Sequence, residues 1–427
     1  MRRLLLPLGL AAVLSSPFPG VAQTPPAAVA LPPAAAPAGA PQPAGTPTQT
    51  LTLDAALALA EAGSFTLSAA GKELDATAGD LIQSRVLPNP ELAVSMEDTR
   101  KASRSTTGQV NLPIELGGKR AARIGLAERG RELAQAELGS TRAELRAAVI
   151  ARFFGVLVAQ ERVRLAEGSV GIASQAADAA GRRVAAGKVA PLEATRARVE
   201  QANAELELAE ATGALQSARQ SLAALWGDSV PRFAQAQGDL DALPSRPAPA
   251  ALQAALEDSP LLAASRLAAE RSRAEVAVQR SRQYPDVTVS LGAKRDNEAN
   301  RNMAVLGVAI PLPLFDRNQG NLYAALRRAD GAQDAHAATR VRLQGELQQA
   351  STQLSVSRAA AQTLQASVLP AAEQAYAAAS RGFEAGKFNF LDVLDAQRTL
   401  FQARIRYLDV LARTYDAAAS IDRILGH

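Results

Sequence analysis

Carboxylates at the start of two helical patterns are the residues with the plainest chemistry in this sequence. Glu193 follows the turn Gly187-Lys188-Val189-Ala190-Pro191, and Asp392 and Asp395 follow Gly386-Lys387-Phe388-Asn389-Phe390. The two turns are spaced alike, since 386 − 187 = 199 and 392 − 193 = 199. An acid in a helix's first turn sits in the positive field of its unpaired N–H groups, and Pro191 suits a first helical position. Asn389 as N-cap with Asp392 at N3 is similar to a capping box. Little else has the makings of a reaction centre. There is no Cys, and two His (His336, His427) and three Met leave too few soft ligands for a transition-metal cage. His336 and His427 read as solvated. Ser, Asp and His are too scattered for a triad, and no phosphate-cradling or dinucleotide fingerprint occurs. The expectation is a protein with no cofactor and no catalytic site, hence not an enzyme.

The elements that must carry these turns come in two copies. Pro88 maps onto Pro285 (offset 197) and Pro113 onto Pro311 (offset 198), close to the 199 of the turns. Self-similarity at one spacing marks a duplicated unit. Residues 1–22 read as a secretory signal: Arg2-Arg3, an apolar run Leu4–Leu14, and small residues ending at Ala22. Residues 23–50 are a Pro/Ala-rich linker expected to lack structure. The first repeat, 51–228, opens with helical patterns from Thr52 and Ser64. It continues with strands at about 91–97 and 107–114, and then helices at about 118–186 and 191–227. In the first strand Leu92, Val94 and Met96 share one face; in the second, Val110, Leu112 and Ile114 oppose Gln109 and Asn111. A joint, 229–250, carries Pro231, Pro244, Pro247 and Pro249. The second repeat, 251–427, has a helix broken near Ser259-Pro260 and strands at about 286–293 and 304–310 around a charged loop, Lys294–Arg301. Helices at about 319–384, kinked by Pro370, and 390–425 end it. Leu133, Leu138, Leu145, Val149, Phe153 and Val156 in the first repeat, and Leu343, Leu347, Leu354, Ala361, Leu364 and Val368 in the second, keep the rhythm of a coiled-coil seam.

Composition agrees with long helices: 48% apolar but only 4% aromatic. Charge is nearly balanced, 46 basic against 42 acidic residues, so nothing points to nucleic acid. After the signal no apolar run reaches the 18 residues or more of a membrane-spanning helix. A membrane form would therefore need a closed barrel, because open sheet edges do not survive in lipid. Four strands cannot close one; three chains would bring 3 × 4 = 12 and leave a wet lumen.

The run Val308-Ala309-Ile310-Pro311-Leu312-Pro313-Leu314-Phe315-Asp316-Arg317-Asn318-Gln319-Gly320-Asn321 resembles the strand-to-helix junction of TolC-type outer-membrane efflux proteins, in particular the CzcC/CusC-like heavy-metal efflux members. Gly386 to Leu400 is similar to that family's periplasmic tip, and the resemblance covers about residues 51–427. It implies a mainly α fold with membrane β-strands. The trimer would form a twelve-strand β-barrel in the outer membrane of a Gram-negative cell and an α-helical barrel in the periplasm. It also implies a periplasmic adaptor and an inner-membrane resistance-nodulation-division (RND) pump as partners. Tip aspartates of the family ring the narrow entrance, which carries over to Asp392 and Asp395; for Asp392 the pore ring and the helix cap both stand. Glu193 matches a tip acid that bonds a tyrosine in some members. Here that position is Phe383 and a basic partner is Phe388, so packing of Phe383, Phe388 and Phe390 would replace the bond. Gly187, Lys188, Gly386 and Lys387 form turn surfaces to meet the adaptor, or ordinary solvated turns. The implied function is a passive duct for heavy-metal cations. Alternatives are the same channel exporting organic drugs or a type I secreted protein, and a non-channel periplasmic coiled-coil scaffold.

Overall fold

The computed structural model describes residues 50–385, 387–388 and 390–426. The expected signal and nearly all of the linker, together with Gly386 and Asn389, lie outside the described residues. Helix α1 (Leu53–Gly63) is capped by Thr52, whose Oγ1 accepts from the Ala55 N–H at 3.3 Å. Helix α2 (Phe65–Arg85) is capped the same way by Ser64. Strands β2 (Glu91–Glu97) and β3 (Ser105–Ile114) follow, the label β1 going to the short strand Thr50–Leu51. The chain then turns through Gly117 and Gly118, both at positive φ, into α3 (Lys119–Ala185). A Cβ on Gly117 would fall 2.5 Å from Cβ of Tyr284, so the turn also needs glycine for a close approach. At 67 residues α3 is about 100 Å long. It returns as α4 (Pro191–Ala223), which a 3₁₀ turn (Ala224–Trp226) closes onto Gly227 at φ +83°. Trp226 is buried, its indole N–H donating to Asp228, as a packing residue should.

The second half repeats the order: α5 (Pro249–Ala255), α6 (Pro260–Ser281), β5 (Val287–Asp296), β6 (Arg301–Ala309), α7 (Gln319–Thr363), α8 (Leu369–Glu384) and α9 (Phe390–Leu425). Its core repeats as well. Val149, Val156 and Leu222 are buried with Ala56 and Ala60 of α1, and Leu347, Leu354 and Ile421 with Leu252 and Leu256 around α5. The offsets are 347 − 149 = 198 and 354 − 156 = 198, matching those of the prolines.

The strands form one antiparallel sheet in the order β2-β3-β5-β6, with both outer edges open. Register puts Leu92, Val110, Leu291 and Leu306 in one row, and Val289, Val308 and Leu112 in the next. That face is apolar and mostly exposed. The opposite face carries Ser95, Thr107, Gln109, Asn111 and Ser290, joined by Ser290 Oγ donating to Asn111 Oδ1 at 2.8 Å and Gln109 Nε2 donating to the same oxygen at 3.2 Å. Asp286 fastens sheet to helices by accepting from Lys119 Nζ at 2.7 Å and the Leu116 N–H at 3.2 Å.

Two sequence expectations need correction, the strand bounds and the Pro370 region, and two others gain detail. The strands are longer than their apolar cores suggest: β3 begins at Ser105 rather than 107, β5 reaches Asp296 rather than 293, and β6 begins at Arg301 rather than 304. The run Lys294–Arg301 is therefore ladder at both ends, and only 297–300 make the turn, because Lys294 finds Glu97 across the sheet and Arg295 finds Asn302. The joint contains a strand, β4 (Gln235–Ala236), pairing in parallel with β1 and clasped by Gln160. The helix break near Ser259-Pro260 is present, and its detail is a 3₁₀ turn (Leu256–Asp258) ahead of α6. Finally, the disturbance expected at Pro370 is a π turn (Leu364–Val368) between α7 and α8, which leaves Val368 exposed where a heptad seam would bury it.

Candidate functional site at the helical tips

The hairpins α3–α4 and α8–α9 meet at their far ends. Arg183 and Gly187 sit at the end of α3. Gly187 takes φ +70° and Lys188 N–H donates to the Arg183 carbonyl at 2.9 Å, the six-to-one bond of a Schellman cap. At the second turn Lys387 N–H donates to the Gly382 carbonyl at 2.8 Å, the same bond 199 residues on (387 − 188). Lys188 and Lys387 are exposed, as is Phe388. The Phe388 ring lies where a side chain at position 382 would go, so Gly382 makes room for it. Gly386, Asn389 and the side chain of Phe390 lie outside the described residues.

Phe383 reaches across. It packs with Leu394 against a small-residue patch, Ala177, Ala180, Ala194 and Ala197. The Arg183 guanidinium stands 4.1 Å from its ring centroid. At the tip Phe383 thus makes both apolar packing and a cation–π contact, the latter favourable by about 0.5–1 kcal/mol at an exposed site. Arg183 went unnoticed in the sequence because a basic residue near a helix C-terminus already has a local reason to be there.

Asp392 lies in the first turn of α9, and both it and Asp395 are exposed. Asp395 also lines a 440 Å³ groove between α4 and α9 with Thr195, Arg196, Glu200 and Arg398. Arg398 of α9 is paired with Glu200 of α4, a second bridge between hairpins. Glu193 is half-buried at the start of α4. The structure therefore brings Asp395 beside Arg398 and Glu200, while Glu193 sits a helix start away. The one signal for that pair was spacing: Glu200 is seven residues after Glu193, and Arg398 three after Asp395. Further up, Glu207 shares a cleft with Glu200 and Arg398. Burial first, then the Glu210 and Glu200 carboxylates, raises its carboxyl above the ordinary value.

Above the tips the two hairpins part locally, before Val158 of α3 joins a core with Leu364, Leu408 and Leu411. A 770 Å³ cavity separates α3 from α8 and α9, with Gln365 and Leu369 of the π turn region, Tyr376, Phe401 and Tyr407 on its walls. Among the described residues no group of three or more His, Asp or Glu is placed to hold a metal ion, and no helix is long and apolar enough to cross a membrane. His336 is not simply solvated, since its Nδ1 shares a hydrogen bond of 2.8 Å with Ser265 Oγ.

A long double hairpin under an open-edged, amphipathic sheet is a narrow description, and the family model for outer membrane efflux proteins matches residues 56–228 and 251–427. The chain belongs to that family. The chain is 65% identical over 430 residues, covering all of both, to the cobalt-zinc-cadmium resistance protein CzcC of Cupriavidus metallidurans. Among solved structures, the outer membrane protein VceC of Vibrio cholerae superposes with a TM-score of 0.75 at 21% identity, covering 88% of this chain and 96% of that one. CusC superposes with a TM-score of 0.74 at 18% identity, covering 87% and 91%. Efflux proteins of this family are transport components of the outer membrane, not enzymes.

Proposed function

We propose that three copies of the chain form the outer-membrane duct of a tripartite exporter of heavy-metal cations. The observation that carries the cargo is the full-length 65% identity to a cobalt-zinc-cadmium resistance protein. The trimer is supported by arithmetic on the sheet: four strands per chain with two open edges become 3 × 4 = 12 strands with none. In this reading residues 1–22 direct export, 23–50 are a tether, and 51–228 and 251–427 are tandem repeats joined by 229–250. The pump is of the resistance-nodulation-division type and supplies the energy, in keeping with a sequence that carries no nucleotide-binding fingerprint. An adaptor docks on the turns at Gly187-Lys188 and Gly386-Lys387, beside Phe383 and Phe388, with Glu193 supporting the first turn.

Asp392 and Asp395 then stand around the axis as 3 × 2 = 6 carboxylates at the narrow end. A ring of acids retains cations and disfavours anions. Two measurements test the reading. Expression of the chain in a strain whose cobalt-zinc-cadmium exporter lacks its outer-membrane component is expected to restore tolerance to those metals; no gain in tolerance, with the protein present in the membrane, would overturn the cargo. In planar bilayers, replacing Asp392 and Asp395 by Ala is expected to raise single-channel conductance and weaken block by multivalent cations. Unchanged conductance and block would remove the two acids from the pore.

A further inference from the structure

The far end of the sheet sorts its charges in an unusual way. Four acids lie at or near the two hairpin loops, and three are engaged locally. Asp98 accepts from the Arg100 N–H at 3.0 Å and from Ser103 Oγ at 2.6 Å. Asp296 accepts from the Ala299 N–H at 3.0 Å. Glu97, on the polar face, takes Lys294 Nζ at 2.8 Å and Ser105 Oγ at 3.0 Å. Apart from Lys294, the cations around them are left over. Among the described residues no carboxylate lies within 4.0 Å of Arg100, Lys101 or Arg295, and all three are exposed.

Arg295 stands on the apolar face, one step of the alternation beyond Ala293, in register with Thr106 and Asn302. Its fork is held by amides instead of acids: Nη2 donates to Asn300 Oδ1 at 2.7 Å and Nη1 to Asn302 Oδ1 at 3.2 Å. Two neutral acceptors orient the guanidinium without neutralising it. The loop carrying Arg100 and Lys101 is tied to the same place, because Asn297 donates from its backbone N–H to the Arg104 carbonyl at 3.2 Å and from Nδ2 to the Lys101 carbonyl at 3.1 Å. An oriented, uncompensated arginine fork suits phosphate, which it binds bidentately. Its position at the end of a lipid-facing band says which phosphate.

We propose that Arg295, with Arg100 and Lys101, binds the phosphate groups of the phosphorylated glycolipid in the outer leaflet of the outer membrane. This rests on the reading of the apolar face as lipid-facing. Three such clusters around a trimer would fix the height of the barrel in the bilayer, the lipid tails meeting the row of Leu291 and Leu306 below. The same chemistry in another source, free phosphate, lacks the tails and gains only the exposed ionic contact.

The test uses full-length protein in detergent, with fluorescently labelled lipopolysaccharide as the probe. Each cation removed near an anionic lipid surface weakens binding about fivefold. R295Q is expected to weaken it by that factor, and R100Q/K101Q/R295Q by on the order of a hundredfold. R295K, which keeps charge but loses the fork, should fall between wild type and R295Q. K294Q, on the polar face, should bind as wild type. Enzymatically dephosphorylated lipopolysaccharide should bind wild type as weakly as the intact lipid binds the triple variant, and millimolar inorganic phosphate should not compete. Wild-type affinity in a triple variant with unchanged β signal and oligomer size would overturn the proposal. So would equal binding of the dephosphorylated lipid, of phosphatidylglycerol vesicles, or full competition by inorganic phosphate. Failure of the duct reading would look different: wild-type protein that does not stay in proteoliposomes at all.

Discussion

Tyr415 does more for the joint than any motif near it. Its hydroxyl lies 2.9 Å from the Ala242 carbonyl, with those of Asp239 and Leu240 at 3.2 and 3.3 Å, and its ring stacks on Phe154 with centroids 3.6 Å apart. One side chain thus ties α9, α3 and the connecting segment. Burial first, then Asp239 and Asp241, pushes its phenol up to about 12, and burial with the Asp241 hydrogen bond moves Tyr407 the same way. A phenol raised in the folded state favours folding fully below the unfolded value of about 10 and loses that contribution as pH climbs through the folded value. Chemical denaturation followed by circular dichroism should therefore show a constant midpoint from pH 8 to about 10 and a fall between about 10 and 12. Y415F should be less stable at pH 8 by about 1 kcal/mol, the usual size of one lost hydrogen bond, and its alkaline fall should be shallower but present, because Tyr407 remains. An equally steep fall in Y415F would mean that other groups govern the alkaline limit.

At the scale of elements, the π turn decides where the lower hairpin points. Along α7 the buried seam runs Leu343, Leu347, Ala350, Leu354, Ser357, Ala361 and Leu364, in steps of three and four. The next buried or packed positions are Leu369, Ala372, Tyr376, Ala379 and Phe383, so one interval is five. The wide turn inserts a residue, and the seam resumes in phase with α9. Deleting Gln365 should restore α-helical geometry and rotate everything beyond it by about 100°. Ala372 and Phe383 would leave their partners, and hydrogen exchange over 369–404 should rise at least tenfold with loss of export. P370A keeps the residue count and should leave exchange within about twofold, since the proline fills a position whose amide the turn already leaves without an ordinary helical acceptor. Equal effects of the two changes would show that the proline, not the inserted residue, sets the phase. This is also where sequence reading reached its limit. Pro370 was visible, but proline alone does not distinguish a kink from a register shift; that is set by which residues of α9 must be met. The alternation of Leu92-Val94-Met96 and of Val110-Leu112-Ile114 was legible because period two is local. The polar ends of β5 and β6 were not, because Lys294 and Arg295 belong to strands only through partners 197 and seven residues away, Glu97 and Asn302. The tip turns were legible from glycine, lysine and acid at equal spacing. The contacts across them, Arg183 with Phe383 and Arg398 with Glu200, depend on how two hairpins come to lie side by side.

For the whole molecule, the decisive property is that one sheet has two unlike faces and two open edges. A monomer of this shape buries neither the row of Leu92, Val110, Leu291 and Leu306 nor the free N–H and C=O groups of β2 and β6. In the proposed trimer, closure with sister chains would satisfy the edges and lipid would cover the row. The polar face, with its Gln109–Asn111–Ser290 network, is then left to water. Sidedness can be tested with one residue type placed on each face. Leu306 is 76% exposed on the apolar face, and Ser95 lies on the polar face of the other edge strand, opposite Thr107. Arginine at a lipid-facing barrel position costs about 2–4 kcal/mol at mid-bilayer, whereas a lumen-facing one is tolerated and alters selectivity. L306R is therefore expected to remove most heat-resistant oligomer from the outer-membrane fraction, while S95R leaves its amount near wild type and lowers cation conductance. Reversed sensitivities would turn the sheet inside out, and equal losses would mean that neither face meets lipid.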